Sequence, residues 1–408
     1  MTPRACAPLQ LGHTDLLRWG SLRSMRADRF ALPRGTSQAL KGDSVPHLRV
    51  LIAGGGTGGH IIPALAVARE LVSRFQAEVL FVGTARGMES RLVPTAGFPL
   101  MLIRVGPLNR VSLATRLRTL SDLPRSIIAC RQMIHEFQPQ VVFGVGGYAS
   151  GPAMAAALLL KVPTMAFEPN AMPGLANRLI GKRVQAAAVN FPAATRWFRH
   201  AEVTGIPVRS EFFSIDSPPL SPPHLLVFGG SQGARLFNQT LPQIAAALFK
   251  AVPGLTLLHQ CGAQHFESTR AAFEQSGADP ARWQVLPFLD DMPARFAQAH
   301  LVMARSGAST VAELAAAAKP SLLIPFAAAA DNHQLRNAES MVSAGAAILL
   351  QEEALATPDN LLQTLIPLLT SPQTLATMSR AAATQAHLDA AERIATRLAQ
   401  IASGQGTA

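Results

Sequence analysis

The sequence predicts an α/β protein with two doubly wound, parallel-sheet domains. Short apolar runs that end in glycine alternate with amphipathic helical segments, as expected for strands and crossover helices. Residues 217–223 contain four prolines, and neither a helix nor a strand continues through such a segment. A second strand-and-glycine pattern starts just after it, so the chain repeats one plan. The glycines of the two patterns correspond at a constant offset of 174: Gly55, Gly56 and Gly59 to Gly229, Gly230 and Gly233.

The first half begins with a buried strand at 48–53 and a helix at 61–75. We expect Pro63 in the first turn of that helix and an i,i+4 ion pair between Glu70 and Arg74. Further strands are predicted at 78–82, 141–143, 164–167 and 186–190.

The second half continues with strands predicted at 225–228, 255–259, 284–287, 301–303 and 321–324. Asp290 and Asp291 are interpreted as a helix cap before Met292, since no further carboxylate follows at metal-ligand spacing. An Ala-rich helical stretch is predicted from 374 to 401.

The composition and charge of the chain exclude some classes of structure and function. The chain has 408 residues, of which 49% are hydrophobic and 15% charged, so a large core is available and global disorder is excluded. Its formal charge of +11 suggests an anionic partner. Residues 50–208 carry 16 basic and 7 acidic side chains, whereas residues 209–408 carry 12 and 15. One Tyr and three Trp disfavour a nucleic-acid groove with aromatic platforms.

The sequence shows no pattern of a signal peptide, a membrane-spanning helix or a disulfide framework. The longest uncharged stretch, 137–160, is interrupted by Pro139, Pro152 and several glycines, so no membrane-spanning helix is expected. Residues 1–47 lack a signal-peptide pattern and are expected to be either a disordered extension or an over-long start, with Met25 as a later initiator. Three scattered cysteines fit a reducing, cytosolic setting and offer no metal-ligand spacing.

Three glycine loops carry the sharpest chemical signal. Residues 54–60, 144–152 and 229–234 each follow a predicted strand and open a helix, where backbone amides and the helix dipole favour an anion. A diphosphate is the expected ligand of these loops. The alternative is that they are tight strand-to-helix turns that bind no ligand. His60 at such a helix start would be a neutral imidazole able to accept a proton, or a histidine packed in the loop.

Two polar segments of the second half are candidates for sugar recognition. Glu313 could bind ribose hydroxyls, or it could form a capping box with Thr310 at helix-cap spacing. Residues 331–337 supply Asn and Gln side chains that suit neutral sugar hydroxyls, or they form a solvated helix start.

Taken in order, these motifs resemble those of the MurG family of peptidoglycan N-acetylglucosaminyltransferases over residues 48–402. The matching segments are Gly-Gly-Thr-Gly-Gly-His at 55–60, Gly-Gly-Tyr-x-Ser-Gly-Pro at 146–152, Gly-Gly-Ser-Gln-Gly-Ala at 229–234, Arg-Ser-Gly-Ala-x-Thr-Val-x-Glu at 305–313, and the segment with Gln334 and Asn337.

The resemblance implies a GT-B fold, with two Rossmann-like domains across a cleft. It implies transfer of GlcNAc from UDP-GlcNAc to the 4-hydroxyl of the muramoyl sugar of lipid I, with inversion and no obligatory metal or other cofactor. The implied domains are an extension at 1–47, an acceptor and membrane domain at 48–208, a UDP-GlcNAc domain at 209–386, and a helix at 387–408 that packs back on the first domain.

The resemblance also implies the roles of particular residues. His60 becomes the favoured catalytic base. The diphosphate of the acceptor would be met by Gly56, Gly147, Tyr148 and Ser150. UDP-GlcNAc would be bound by Thr57, Gly58, Gly59, Asn170, Arg209, Ser231, Leu289, Ala308, Ser309, Thr310, Val311, Ala312, Glu313 and Gln334. Two departures from the family pattern are expected to alter donor contacts slightly. Phe-Glu-Pro-Asn at 167–170 replaces the common His-Glu-Gln-Asn, with Asn170 kept, and His333 replaces a frequent Gln.

The implied partners are lipid I, the anionic cytoplasmic face of the bacterial inner membrane, and other cell-wall synthesis and division proteins; nucleic acid is not expected. A basic and apolar segment fits peripheral membrane binding, or else an ordinary amphipathic helix with a solvated face. Its arginines are Arg104, Arg110, Arg116, Arg118, Arg125 and Arg131. Three alternative functions stay open: another GT-B glycolipid glycosyltransferase, a UDP-GlcNAc epimerase, or a non-catalytic nucleotide-sugar-binding protein.

Overall fold

The structure, a computed structural model, contains two parallel β-sheets, one from each half of the chain. It describes residues 48–56, 58–106, 113–216, 222–329 and 332–405, with only the backbone for 113–120. The expectation for residues 1–47 lies outside this range. All described residues belong to one compact unit, residues 46–408.

The N-terminal sheet has seven parallel strands in the order β3-β2-β1-β4-β5-β6-β7. Its strands are β1 (Arg49–Gly54), β2 (Glu78–Gly83), β3 (Leu100–Leu102), β4 (Val141–Gly146), β5 (Thr164–Glu168), β6 (Ala186–Val189) and β7 (Ala201–Val203). Its helices are α1 (Gly58–Phe75), α2 (Glu89–Thr95), α3 (Leu113–Phe137), α4 (Ser150–Leu159) and α5 (Leu175–Ile180).

The C-terminal sheet has six parallel strands in the order β10-β9-β8-β11-β12-β13. Its strands are β8 (His224–Phe228), β9 (Thr256–Gln260), β10 (Trp283–Leu286), β11 (Leu301–Ala304), β12 (Ser321–Leu323) and β13 (Ala347–Leu349). The helices of this half are α6 (Arg235–Ala251), α7 (Phe266–Gln275), α8 (Met292–Gln298), α9 (Ala308–Ala316), α10 (His333–Ser343), α11 (Pro358–Leu369) and α12 (Pro372–Ala383), and α13 (Ala390–Ala402) ends the described chain. Short 3-10 helices lie at Pro192–Trp197, Ser210–Phe212, Ala263–His265, Pro280–Arg282 and Glu352–Ala356.

Both faces of each sheet are covered, which explains why the central strands are mostly apolar on both of their faces. In β1, Val50 and Ile52 join the core that includes α1, whereas Leu51 and Ala53 join the core on the opposite face, with α3 and α4. Alternate side chains of a strand point to opposite faces, so one six-residue strand supplies both cores.

The C-terminal helix α13 packs against the N-terminal half. Ile394, Ala395, Leu398 and Ile401 are buried in the same core as Ile61 of α1. Two ion pairs flank this contact, Arg74 with Glu392 at 2.8 Å and Arg393 with Glu202 at 2.6 Å. The expected pair between Glu70 and Arg74 is therefore wrong, because α13 brings Glu392 to the same guanidinium.

Several helices differ from those predicted from the sequence. Helix α1 begins at Gly58, so Pro63 lies beyond its first turn and His60 lies within it. The Ala-rich stretch predicted to be helical from 374 to 401 contains two helices, α12 and α13, with a break between them. Asp291 stands at the N-cap of α8, but its side chain makes no capping bond and pairs with Arg295 at 3.0 Å instead.

Candidate active site

Four loops emerge from the central strands of the two sheets. In the N-terminal sheet the strand order reverses between β1 and β4, and in the C-terminal sheet between β8 and β11. Ligands of open α/β sheets bind beyond the carboxyl ends of strands at such switch points. All four of these strand ends carry predicted site residues: the 54–59, 146–150, 229–234 and 305–313 segments.

The two loops of the N-terminal half pack backbone against backbone. Gly55 N–H donates to the Gly146 carbonyl at 3.3 Å. Gly147 has a φ of +78°, and a Cβ placed on it would lie only 2.1 Å from the carbonyl oxygen of Gly55. Glycine is therefore required at 147 by both its conformation and the space available.

The amide of Gly56 does not face outward. It donates a hydrogen bond of 2.7 Å to Oε2 of Glu89, a buried carboxylate at the start of α2. This amide was expected to meet the acceptor diphosphate, but in this structure it is already occupied. The first-turn amides of α1, including those of Gly58 and Gly59, have no intrahelical acceptor and are the donors left for an anion. Thr57 lies outside the described residues.

His60 is half-buried against the second loop. A Cβ on Gly146 would lie 2.7 Å from its Cδ2 and 2.9 Å from its Nε2, so the ring lies directly over that glycine. Burial and the nearby His333 lower the pKa of His60 to about 4, although the charge of Glu89 acts in the opposite direction. The imidazole is therefore neutral at neutral pH, as a proton acceptor must be.

The remaining residues of the 146–150 loop differ in exposure. The side chain of Tyr148 is 51% exposed, whereas Ser150 is 1% exposed and its hydroxyl has no hydrogen-bond partner. The Ser150 hydroxyl is not placed to meet the diphosphate, because the side chain points into the protein toward Gly144. Only its backbone amide, at the start of α4, remains in a suitable position.

In the C-terminal half, the 229–234 loop exposes Ser231 at the end of β8. Gly233 has a φ of +74°, and a Cβ there would lie 1.9 Å from the carbonyl oxygen of Cys261. Further along, the side chain of Leu289 is buried while the preceding Phe288 is 52% exposed. Leu289 can therefore offer only its backbone to a ligand.

Helix α9 begins at Ala308, with Gly307 as its N-cap. Thr310 thus lies inside the first turn, so a capping box between Thr310 and Glu313 is ruled out. Val311 is buried in the core of the C-terminal half, whereas Ala308 and Ala312 pack against the core of the N-terminal half. Small residues on α9 therefore allow the two halves to approach, while Ser309 has a buried hydroxyl without a partner.

Glu313 and Arg209 lie close enough to interact. Burial raises the pKa of Glu313 to about 7, and the positive charge of Arg209 limits that rise. The guanidinium of Arg209 also lies 5.1 Å from the ring centroid of Phe212. These two predicted donor residues come from the interdomain connection and from α9, and the fold brings them together.

Asn337 joins the two halves. Its Oδ1 accepts from the Ala171 amide at 3.1 Å, and its Nδ2 donates to Asn170 Oδ1 at 3.3 Å and to the Ser306 carbonyl at 3.1 Å. Asn337 is fully buried, so these bonds are shielded from water. Asn170 is also held by Glu168, whose pKa is raised by burial although several donated bonds oppose the rise.

Gln334 lies one turn before Asn337 on α10. Its Oε1 accepts from the Phe326 amide at 2.9 Å, and its carbonyl accepts from Ser306 Oγ at 2.8 Å. The hydrogen bond to Oε1 leaves the side-chain NH₂ of Gln334 as a donor. Arg305 supports the same region, since its guanidinium donates to the carbonyls of Ile324 and Pro325 and pairs with Glu352.

Sequence reasoning missed the supporting residues Glu89, Glu168 and Glu352. Glu168 stands in the family segment 167–170, in which only Asn170 was given a role. Glu352 stands in no motif, and Glu89 is distinguished in the sequence only by the glycines that precede it. Among the described residues, no group of His, Cys, Asp and Glu is arranged to hold a metal ion.

Comparison with known proteins gives consistent matches to both halves. Residues 50–189 match the glycosyltransferase family 28 N-terminal domain, and residues 224–394 match the glycosyltransferase family 28 C-terminal domain. A protein of Solibacter usitatus named UDP-N-acetylglucosamine--N-acetylmuramyl-(pentapeptide) pyrophosphoryl-undecaprenol N-acetylglucosamine transferase is 48% identical over 307 residues, 74% of this chain and 83% of the relative. The protein of that name from Nitrosococcus oceani is 41% identical over 88% of this chain and 99% of its own.

The solved structures agree with the predicted fold. The crystal structure of Acinetobacter baumannii MurG is 30% identical, with a TM-score of 0.73 over 86% of this chain and 99% of that chain. A UDP-GlcNAc 2-epimerase from Neisseria meningitidis has a TM-score of 0.61 at 13% identity, covering 86% of this chain and 100% of its own, which shows the fold alone. The predicted GT-B architecture of two Rossmann-like domains is confirmed.

Proposed function

This chain belongs to the MurG family within glycosyltransferase family 28, and we propose that it transfers N-acetylglucosamine from UDP-GlcNAc to the 4-hydroxyl of undecaprenyl-diphosphate-MurNAc-pentapeptide. This step converts lipid I to lipid II in peptidoglycan synthesis. The observation that carries the proposal is the position of neutral His60 beside two glycine loops at the switch point of the N-terminal sheet.

The donor is assigned to the C-terminal half, residues 209–386. The Ser231 loop and the first turn of α9 offer backbone amides to the UDP diphosphate, and Glu313 accepts bonds from ribose hydroxyls. Gln334 and Asn170 offer amide groups to the sugar, and Arg209 lies beside Glu313. The acceptor is assigned to residues 48–208, the half with the basic excess.

In the reaction, the acceptor hydroxyl attacks the anomeric carbon from the side opposite UDP, so the configuration inverts. His60 accepts the hydroxyl proton as the C–O bond forms and the bond to UDP breaks. Amides at helix starts stabilise the charge that develops on the departing diphosphate.

The test is label transfer with purified protein, radiolabelled UDP-GlcNAc and lipid I. Label in the lipid product supports the proposal. Release of UDP without lipid labelling, or formation of ManNAc alone, would instead indicate one of the alternative functions, a different acceptor or an epimerase. His60→Ala is expected to lower kcat by about 10²–10⁴-fold, the usual contribution of a general base, and full turnover by this variant would remove His60 from that role.

Peripheral binding to an anionic membrane is part of the proposal. None of the described helices is long and apolar enough to cross a membrane. Helix α3 carries Arg125 and Arg131 beside Ile128, which is 64% exposed, and Leu159 at the end of α4 is 67% exposed. Arg110 lies outside the described residues, as do the side chains of Arg116 and Arg118. Contacts with other cell-wall synthesis and division proteins stay predictions from the resemblance.

Replacing Arg104, Arg125 and Arg131 by Glu should weaken sedimentation with vesicles that contain anionic lipid, since each cation near such a surface contributes about 1 kcal/mol. In the matched control, Glu replaces Arg235, Arg270 and Arg380 of the C-terminal half. Equal vesicle binding by both triple variants would contradict this part of the proposal.

A further inference from the structure

Glu89 is a buried carboxylate beneath the 54–59 loop that none of the predicted roles uses. It is 0% exposed, and Glu168 is the one other carboxylate buried to this degree in the described part of the chain. A buried ionised carboxylate needs hydrogen-bond donors that replace water. The donors around Glu89 therefore show what the side chain holds in place.

Three donors from two different loops converge on this carboxylate. Oε2 accepts from the Gly56 amide at 2.7 Å, and Oε1 accepts from both the amide and the hydroxyl of Thr84 at 2.8 Å. Burial acts to raise the pKa of Glu89, but the bonds from Gly56 and Thr84 outweigh burial and lower it. One ionised side chain thus joins the loop after β1 to the loop after β2.

Glycine makes room for the carboxylate on three sides. A Cβ at Gly55 would lie 2.2 Å from the Glu89 carboxyl carbon, and a Cβ at Gly87 would lie 2.0 Å from Oε2. At Gly83 the corresponding distance to Cγ is 2.4 Å. A methyl group at any of these positions would displace the carboxylate or the loop, so the geometry tolerates little movement.

The same tight packing continues from the loop to His60. Gly55 meets Gly146 through a hydrogen bond and Gly147 through direct backbone contact, and Gly146 lies against the His60 ring. Displacement of the 54–59 loop would therefore be transmitted to the imidazole. Glu89 also acts on His60 through its charge, which raises the pKa of His60 while His333 lowers it.

We propose that Glu89 is a positioning residue of the transfer reaction: its buried carboxylate fixes the 54–59 loop and, through Gly146 and Gly147, the place of His60 beside the acceptor. Glu89 contacts neither the sugar nor the diphosphate. Because it takes the amide of Gly56, the loop meets the acceptor diphosphate with the first-turn amides of α1.

The central test compares Glu89→Gln with Glu89→Asp. The Gln side chain keeps the size but must place an NH₂ group against an N–H donor, and the Asp side chain keeps the charge but is shorter. We expect both to lower kcat/KM for lipid I at least about tenfold, as misplacement of a reacting group does. KM for UDP-GlcNAc should change less, because the 54–59 loop is predicted to border the donor sugar but most of the predicted donor contacts lie in the C-terminal half. The matched control is Glu274→Gln on the exposed face of α7, which should change neither value.

The pH profile separates the charge of Glu89 from its position. Glu89→Gln removes an anion that favours protonated His60, so the acidic limb of kcat/KM should move to lower pH. Glu89→Asp should keep the limb near its wild-type pH. The interpretation of the pH profile depends on the proposed role of His60, whereas the fall in kcat/KM for lipid I does not.

Folding is monitored by thermal melting and by UDP binding to the C-terminal half. A folded Glu89→Gln variant with wild-type kcat/KM and an unmoved acidic limb would overturn the proposal, as would a lower melting temperature with unchanged turnover per folded molecule. If Glu89→Gln does not fold, Thr84→Val removes only the hydroxyl donor. It should lower kcat/KM for lipid I more than it raises KM for UDP-GlcNAc, and wild-type kinetics there would also reject the proposal.

Discussion

At the scale of single residues, the environment of each ionisable group decides its proton state. His60 and Glu313 both carry shifts caused mainly by burial, but burial lowers the pKa of the imidazole and raises that of the carboxyl. His60 is thereby neutral near pH 7, while Glu313 is close to half-ionised there. The two groups should therefore affect the reaction in different pH ranges.

Glu313 predicts a pH dependence of donor binding. Its folded-state pKa is about 7, so it loses its charge as the pH falls through that value. An ionised carboxylate accepts hydrogen bonds from ribose hydroxyls more strongly than a protonated one. KM for UDP-GlcNAc should rise as the pH falls from 8 to 6, and Glu313→Gln should have a raised KM that no longer depends on pH in this range. A pH-independent KM in the wild-type protein would contradict the assignment.

At the scale of elements, Asn337 ties helix α10 to loops of both halves. Asn337→Asp keeps Oδ1 as an acceptor but loses the NH₂ donor, and it places a carboxylate beside the Ser306 carbonyl and Asn170 Oδ1. Breaking such a buried network should lower the free energy of unfolding by about 1–3 kcal/mol or more.

The same variant should raise KM for UDP-GlcNAc, because Asn170 loses the hydrogen bond from Asn337. Urea unfolding and donor kinetics are the measurements, with the exposed Gln243→Glu as the control. Equal stability of the two variants would show that the Asn337 bonds contribute nothing.

The sequence predicted the central strands and their glycine loops because apolar runs that end in glycine are a strong local pattern. It missed β3, β7 and β13, which have three residues each and are edge strands of their sheets, so that pairing with one neighbouring strand defines them. The capping box at Thr310 fitted the local spacing, but the structure starts α9 at Ala308 instead. Glu89 could not be predicted, since its role exists only when the loops after β1 and β2 are neighbours.

At the scale of the whole molecule, the C-terminal helix α13 is part of the hydrophobic core of the N-terminal half. Leu398 of α13 is 0% exposed and lies in one core cluster with Val50 and Ile61. Leu398→Ala should lower the free energy of unfolding by about 2–5 kcal/mol. In this variant, hydrogen exchange should show reduced protection of backbone amides first in β1 and α1.

Leu388→Ala, at a side chain that is 72% exposed, is the control and should leave stability nearly unchanged. Loss of protection confined to the C-terminal sheet would contradict the assignment of α13 to the N-terminal half.

The position of α13 also has a consequence for synthesis on the ribosome. The N-terminal sheet emerges first, but one side of α1 meets its partner only when residues near 400 have left the exit tunnel. The C-terminal sheet has all its strands available before that point. The half that is made first is thus completed last, and we expect its apolar α1 surface to remain open to chaperone binding until α13 has docked.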